Sequence, residues 1–377
     1  MQNLLRALLL NCVLCWSMPA AVHAGEPIAP SLAKTEEGVQ WYEASLLDVE
    51  GRAFSELKAP YDRLPAKAEG VVRDAVWGLS RHSAGLCVRF VTDAPAFSAR
   101  WTLISDKLAM PHMPATGVSG LDLYVRNGAG NWRWLSVGQP TQTTNTTKFT
   151  AGSTAEPREF MLYFPLYNGV SSVEIGLPEG AKLFRGPEYP ANHAKPIVFY
   201  GTSITQGGCA SRPGMVHTAI LSRRLNRPVV NLGFSGNGRM EAEVAQYIAE
   251  IDAAVYVIDC LPNMDDKAVT ENTAPLVEQL KAAHPETAIL LVEDRSYANS
   301  QVLEGPRVRN ETSRAALLQE YEKLIDGGVQ GLYYLDGDVL LGEDGEDTVD
   351  GSHPTDFGFW RHANAFEPVL REMLGDE

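Results

Sequence analysis

The chain has 377 residues, 45% of them hydrophobic and 21% charged, which excludes disordered, collagen-like and low-complexity classes and leaves room for two domains, each with its own core. With 47 acidic against 32 basic residues the formal net charge is −15, so the surface repels nucleic acid and anionic membranes, and neither is expected as a partner. Neutral substrates are compatible with it.

Residues 1–24 read as a secretory signal: Arg6 supplies the positive start, Ala7 to Trp16 the apolar run and Val22-His23-Ala24 a small-residue cleavage site. The run falls short of the ~20 residues that a membrane anchor needs. No later segment is apolar enough either, so a secreted or periplasmic protein without membrane insertion is expected. Removal of the signal takes Arg6 with it and leaves a net charge of −16. Of five cysteines, Cys12 and Cys15 lie in the signal, leaving Cys87, Cys209 and Cys260. The CxxC of Cys12 and Cys15 goes with the signal, the remaining cysteines make none and no HExxH occurs, so neither a metal nor another cofactor is expected.

From about Val39 to Tyr189 the hydrophobic period is two. Leu86 to Val91, Ala99 to Leu103, Leu121 to Arg126, Trp132 to Leu135, Glu159 to Phe164 and Ser172 to Leu177 read as short strands, separated by turns such as Asn127-Gly128 and Asn168-Gly169. The pattern predicts a β-sandwich, jelly-roll-like, over residues 38–188. Asn145-Thr146-Thr147 is a glycosylation sequon that has meaning only in a eukaryotic host. Ser105 to Ser119, which contains His112, is a loop long enough to be functional.

Gly186 to Lys195 reads as a linker, and the period then changes. Strands are predicted at Ile197–Tyr200, Val229–Leu232, Ala254–Asp259, Ala288–Glu293 and Leu332–Leu335, with helices near Met215–Leu225, Met240–Ile251, Val269–Ala283, Arg307–Leu324 and Thr355–Met373. Five β-α units in succession specify a parallel, flavodoxin-like sheet covered on both faces over residues 195–377. Its ligands belong beyond the carboxyl ends of the strands.

Four motifs fall at those ends. Gly201-Thr202-Ser203 places a serine at a strand-to-helix turn, where backbone N–H groups converge. Gly236, in the glycine-rich turn Asn231 to Asn237, can present an unencumbered N–H, and Asn263 an amide donor. In Asp350-Gly351-Ser352-His353 the carboxylate can face the imidazole three residues on and fix its tautomer, leaving the ring to take a serine proton.

In this order and spacing the four motifs resemble the SGNH or GDSL hydrolase family of serine esterases, over about residues 196–377. Thr202 and Ile204 stand where that family usually has aspartate and leucine. The resemblance implies Ser203 as nucleophile, His353 as base, Asp350 as its orienting partner, and the Ser203 N–H, Gly236 and Asn263 as oxyanion donors. Gly120-Leu121-Asp122-Leu123-Tyr124 also looks like the GxDLY motif of a β-sandwich that precedes one branch of the family, a branch with esterases of carbohydrates and small molecules and some acyltransferases.

The expected function is a secreted serine esterase acting on short-chain esters, acetyl foremost, of a saccharide or similar polar alcohol. An acyltransferase with the same triad and a non-catalytic carbohydrate-binding protein are the alternatives. Arg295, after the fourth strand, and His112 are expected to line the pocket. In the run Gly233 to Arg239 only Phe234 offers a large apolar side chain to the mouth, too little for a long acyl chain. Cys209 and Cys260 are placed for a possible disulfide, if the first and third strands are neighbours.

Overall fold

A computed structural model describes residues 25–152 and 156–376. The expected signal segment lies outside the described residues, and among these no helix is long and apolar enough to cross a membrane. The first half contains β1 (Lys34–Glu36), β2 (Val39–Glu43), β3 (Val49–Glu50), helix α1 (Asp74–Ser80), β4 (Cys87–Thr92), β5 (Ala96–Leu103) and the single turn α2 (Ala115–Val118). It continues with β6 (Leu121–Arg126), β7 (Trp132–Gly138), β8 (Thr144–Thr150), β9 (Arg158–Tyr163), β10 (Val170–Pro178) and β11 (Leu183–Arg185).

These strands form two antiparallel sheets, in the orders β1-β2-β10-β5-β8 and β11-β4-β9-β6-β7, with β3 beside β4. The inner faces meet in a core of Trp101, Phe90, Phe97, Phe149 and Phe160, where the Phe97 and Phe160 rings stand 5.1 Å apart, edge to face. In β5 buried and half-exposed residues alternate strictly, whereas β4 is buried throughout. The outer face of the second sheet is covered by the other half of the chain, where Cys87, Tyr124, Met161 and Tyr163 pack on Ala219. The sequon Asn145 is buried, and its amide is bonded to the backbone of Thr141 and Gln142.

The second half runs β12 (Ile197–Gly201), the one-turn α3 (Ser203–Gln206), α4 (His217–Leu225), β13 (Val229–Gly233), α5 (Ala242–Ile248) and β14 (Val255–Asp259). Then follow α6 (Asp266–Ala283), β15 (Ala288–Val292), α7 (Glu304–Asp326), β16 (Leu332–Leu335) and α8 (Asp356–Leu374). All five strands are parallel, in the order β13-β12-β14-β15-β16. Alternate residues serve opposite faces: Ile197 and Phe199 pack with α4 and α8, Val198 and Tyr200 with α5, α6 and α7. A strand covered on both sides therefore reads as an unbroken apolar run.

Sequence continuity and packing diverge at one place. Between β3 and β4 the chain leaves the sandwich, and Phe54, Leu64, Ala68, Val72 and Val76 enter the core of the parallel sheet beside Tyr200, Leu232 and Phe234. This excursion carries no strand alternation of its own, so periodicity does not assign it to either half.

Candidate active site

Gly201 ends β12 in a space closed on two sides: a Cβ there would stand 2.0 Å from Thr205 Oγ1 and 2.7 Å from the Asp259 carbonyl oxygen. Thr202 caps the following turn, its hydroxyl accepting the Ile204 N–H at 3.3 Å, and Ser203 is the first helical residue. Its N–H therefore has no partner within the helix. Gly207, at φ +111°, closes the turn after Gln206.

Asp350 and His353 lie on a tight loop between β16 and α8. Asp350 Oδ1 accepts the N–H groups of Ser352 (3.0 Å) and His353 (2.8 Å), while its Oδ2 lies 2.8 Å from His353 Nδ1. His353 Nε2 is 2.8 Å from Ser203 Oγ. With Nδ1–H donated to the carboxylate, the Nε2 lone pair faces the serine hydroxyl. Burial pushes the Asp350 carboxyl up, but the bonds from the His353 N–H and ring outweigh it and hold it below the usual carboxylate range.

Gly236 and Asn263 occupy the loops after β13 and β14. The first loop is pinned to β12 by Phe234 N–H donating to Gly201 O at 3.0 Å, and to α3 by Ser235 N–H donating to Gln206 Oε1 at 3.0 Å. Asn263 Oδ1 accepts from the N–H groups of Asn237 (3.0 Å) and Gly238 (3.2 Å), so its own Nδ2–H donors point away from that loop. Gly236 is exposed at φ +70°, with nothing within 4 Å of where a Cβ would stand.

The loop between β5 and β6 does reach the second half of the chain. Met113 is buried with Ile204, Ala210 and Phe359, and Thr116 Oγ1 donates to Ser211 O at 2.6 Å. His112 is thereby held exposed at the mouth, its ring centroid 6.3 Å from that of His353. In the stretch Gly120–Tyr124, Asp122 is fully buried and accepts from Arg212 Nη1 (2.8 Å), Gly214 N–H (2.8 Å) and Trp134 Nε1 (2.9 Å). The motif is thus the interlock between the sandwich and the chain just past Ser203.

Three expectations are corrected. Arg295 does not line the pocket: it is 1% exposed, donates from Nε to Ser352 O at 3.1 Å, also bonds Ser352 Oγ, and pairs with Asp294. It braces the Asp350–His353 loop from behind. Phe234 is fully buried under the Arg63 guanidinium and offers nothing to the mouth. Cys209 and Cys260 are free thiols, although their strands are neighbours as expected. Cys260 points into the core with Tyr200 and Leu261, its thiol donating to Tyr200 O at 3.6 Å, whereas α3 and the turn after it carry Cys209 off toward Asp350.

Sequence reasoning also missed residues that support the turn carrying Ser203. Tyr167, from the sandwich, donates its hydroxyl to Ser203 O at 3.0 Å. Its only sequence signal is an aromatic residue just past a strand end. Asp259, the charged end of an apolar strand, accepts from Thr205 Oγ1 at 2.9 Å. Burial raises its carboxyl to about 7 from 3.8. The proton it keeps in the folded state stabilises fully below pH 3.8, and that contribution is lost as pH rises through about 7. Asp259→Asn, which has no charge to form, is therefore expected to gain more in melting temperature at pH 8.5 than at pH 5, by about 2 kcal/mol of relative stability. Equal gains at the two pH values would show that the carboxyl is already ionised.

Residues 194–371 match the model of the GDSL-like lipase/acylhydrolase family, and residues 39–183 match the GxDLY model, the N-terminus of Esterase_SGNH_hydro-type. A chain from Bacteroides ovatus ATCC 8483, described as a GDSL-like lipase, is 33% identical over 90% of this chain and 99% of its own, with a TM-score of 0.85. The chain belongs to the GDSL-like lipase/acylhydrolase family. Two more distant structures share the fold of this GDSL hydrolase. The salicylyl-acyltransferase SsfX3 from a tetracycline biosynthetic pathway is 18% identical, covering 90% of this chain and 96% of its own, with a TM-score of 0.68. A family two carbohydrate esterase from Cellvibrio japonicus is 13% identical, covering 89% and 98%, with a TM-score of 0.60. A search of curated proteins returns no match.

Proposed function

We propose that this GDSL hydrolase is an exported serine esterase that cleaves short-chain esters, acetyl foremost, of carbohydrates or similar polar alcohols. The observation that carries the reading is the unbroken path from Ser203 Oγ through the His353 ring to Asp350, with 2.8 Å at each step. His353 Nε2 takes the hydroxyl proton as Ser203 Oγ attacks the ester carbonyl carbon. The negative charge that forms on the carbonyl oxygen is met by the N–H groups of Ser203 and Gly236 and the Asn263 amide. His353 then protonates the leaving alcohol, and water attacks the acyl-enzyme by the same route, releasing the acid. Asp350 holds the ring and stays ionised throughout.

Three further features support the finer parts. The His353 and Asp350 side chains are 27% and 46% exposed, which gives water access for deacylation. The run after β13 presents no large apolar side chain to the mouth, so a long acyl chain finds no trough there. The exposed His112 ring, carried by the sandwich and 6.3 Å from the His353 ring, supports a polar leaving group. Export rests on residues 1–24.

The test is an ester panel on wild type beside Ser203→Ala. Rates on p-nitrophenyl acetate, butyrate and octanoate should fall in that order, acetylated oligosaccharide should release acetate, and Ser203→Ala should do neither. Octanoate as the fastest ester would sink the short-chain reading. A transfer product that outpaces free acid when an acceptor alcohol is added would make the protein an acyltransferase.

A further inference from the structure

Gly236 is the third residue of a tight turn in which the Asn237 and Gly238 N–H groups donate to Phe234 O (2.8 and 2.9 Å), and its carbonyl accepts from Arg239 Nε (3.2 Å) and Nη2 (3.0 Å). It has no side chain, sits at φ +70°, and would have no neighbour within 4 Å of a Cβ. Its N–H lies in the plane of the Ser235–Gly236 peptide, so its direction follows what holds the Ser235 carbonyl. Ser235 is tied through its N–H to Gln206, and Asn237 Nδ2 donates back to Ser235 O at 2.8 Å, so the turn closes on Asn237. Asn237 in turn is gripped from two directions. From one, Asn263 Oδ1 accepts its N–H at 3.0 Å. From the other, Arg73 donates from Nη1 to Asn237 Oδ1 at 2.7 Å and from Nη2 to Asn237 O at 3.1 Å.

Arg73 does not belong to the hydrolase half. It stands just before α1 in the excursion from the sandwich, 164 residues before its partner in sequence. Its Nε is bonded to Glu241 at the start of α5, so the guanidinium is oriented on two edges. The excursion has a second anchor at the root of the same loop. Arg63 is 1% exposed and donates to four backbone carbonyls: Asn231 (3.0 Å) and Gly233 (2.8 Å) at the end of β13, and Leu79 (2.7 Å) and His82 (2.8 Å) in the excursion itself. It therefore fixes the excursion to the strand from which the Gly236 loop emerges.

We propose that Arg73 is a positioning residue for the oxyanion site: by holding Asn237 it sets the direction of the Gly236 N–H, so the N-terminal domain completes the catalytic centre of the C-terminal one. The role of Gly236 rests on the esterase reading above; the grip on the loop does not. A donor held about 1 Å out of place costs up to ~10²-fold, and loss of a whole oxyanion donor ~10²–10³-fold. Arg73→Ala, which loosens the donor without deleting it, should lower kcat by ~10–100-fold.

The control is Lys67→Ala. Lys67 lies on the same excursion and pairs with Glu250 of the hydrolase half at 2.8 Å, on the surface and away from the Gly236 loop. Both variants remove one ion pair between the halves, and Arg73 and Lys67 are both substantially exposed (41% and 54%), so both should fold. The Arg73→Ala enzyme should keep KM for p-nitrophenyl acetate within about twofold and keep the pH midpoint of kcat. Its affinity for phenylboronic acid, which forms a tetrahedral adduct on the serine, should fall by the same factor as kcat/KM. Arg73→Lys, which retains one of the two bonds to Asn237, should recover part of kcat. Lys67→Ala should match wild type in all four readouts. Amide hydrogen exchange over residues 234–238 should quicken in Arg73→Ala and not in Lys67→Ala. The proposal is overturned if exchange there is unchanged, if kcat is unaffected, or if Lys67→Ala loses as much as Arg73→Ala. A wild type without turnover, or a Ser203→Ala that retains it, would instead remove the esterase reading and leave the exchange result to decide the positioning.

Discussion

Ser203→Ala and His353→Ala are each expected to lower kcat by ~10⁴-fold or more, and the double variant by little further. The reason is the single hydrogen bond between them, 2.8 Å from Oγ to Nε2. Without the base the hydroxyl keeps its proton and is a poor nucleophile, and without the hydroxyl the base has nothing to activate but water. Either loss abolishes the same step, so the second has little left to remove. Ser203 is 9% exposed and His353 lies on a surface loop, so neither substitution should cost the fold. Unaltered melting temperatures beside the kinetic loss would separate chemistry from stability. Losses that multiply in the double variant would show that the two side chains serve different steps. Asp350→Asn should be milder if its whole task is to orient the ring.

Gly238→Ala is expected to lose ~10²–10³-fold in kcat with the triad untouched. A Cβ at Gly238 would stand 1.9 Å from the Gly201 carbonyl oxygen, a backbone atom that cannot rotate aside. That oxygen also accepts the Phe234 N–H, the bond that pins the Gly236 loop to β12. The methyl must push the loop off the strand end, taking the Gly236 N–H and the N–H that Asn263 Oδ1 accepts with it. Gly236→Ala is the contrast: it meets no atom within 4 Å and bears only the strain of its positive φ, about 1–2 kcal/mol. Measured side by side, Gly238→Ala should be the more damaging in both kcat and melting temperature. The reverse order would place the loop's constraint at Gly236 itself.

The strands of the hydrolase half were legible to within about a residue: Val229–Gly233 against an expected Val229–Leu232, and Leu332–Leu335 as expected. Parallel strands buried on both faces are short apolar runs, and the helices between them break the period cleanly. The candidate triad was legible for a similar reason. Asp350 and His353 are three residues apart, so local turn geometry brings them together, and Ser203 lies at a strand end that topology places opposite. Arg295 misled because its position after a strand end is the same whether it faces the mouth or the loop behind it. Side-chain direction there is decided by Ser352 and Asp294, not by the spacing. The cysteines misled because adjacent strands bring backbones close without fixing which way the next turn leads.

By itself the sequence determined the antiparallel sandwich, the five parallel strands, and the strand ends at which the site residues gather. These follow from period, turn residues and the handedness of β-α units, which are local or depend on chain order alone. Only the tertiary structure decided what holds the site in shape. The excursion past β3 shows no strand alternation of its own and is assigned by where its apolar side chains find cover. The bonds that matter to the oxyanion loop join Arg63 to Gly233 and Arg73 to Asn237, 170 and 164 residues apart. Contacts at such separations leave no pattern in a single chain, because either partner alone looks like any other arginine or any other turn.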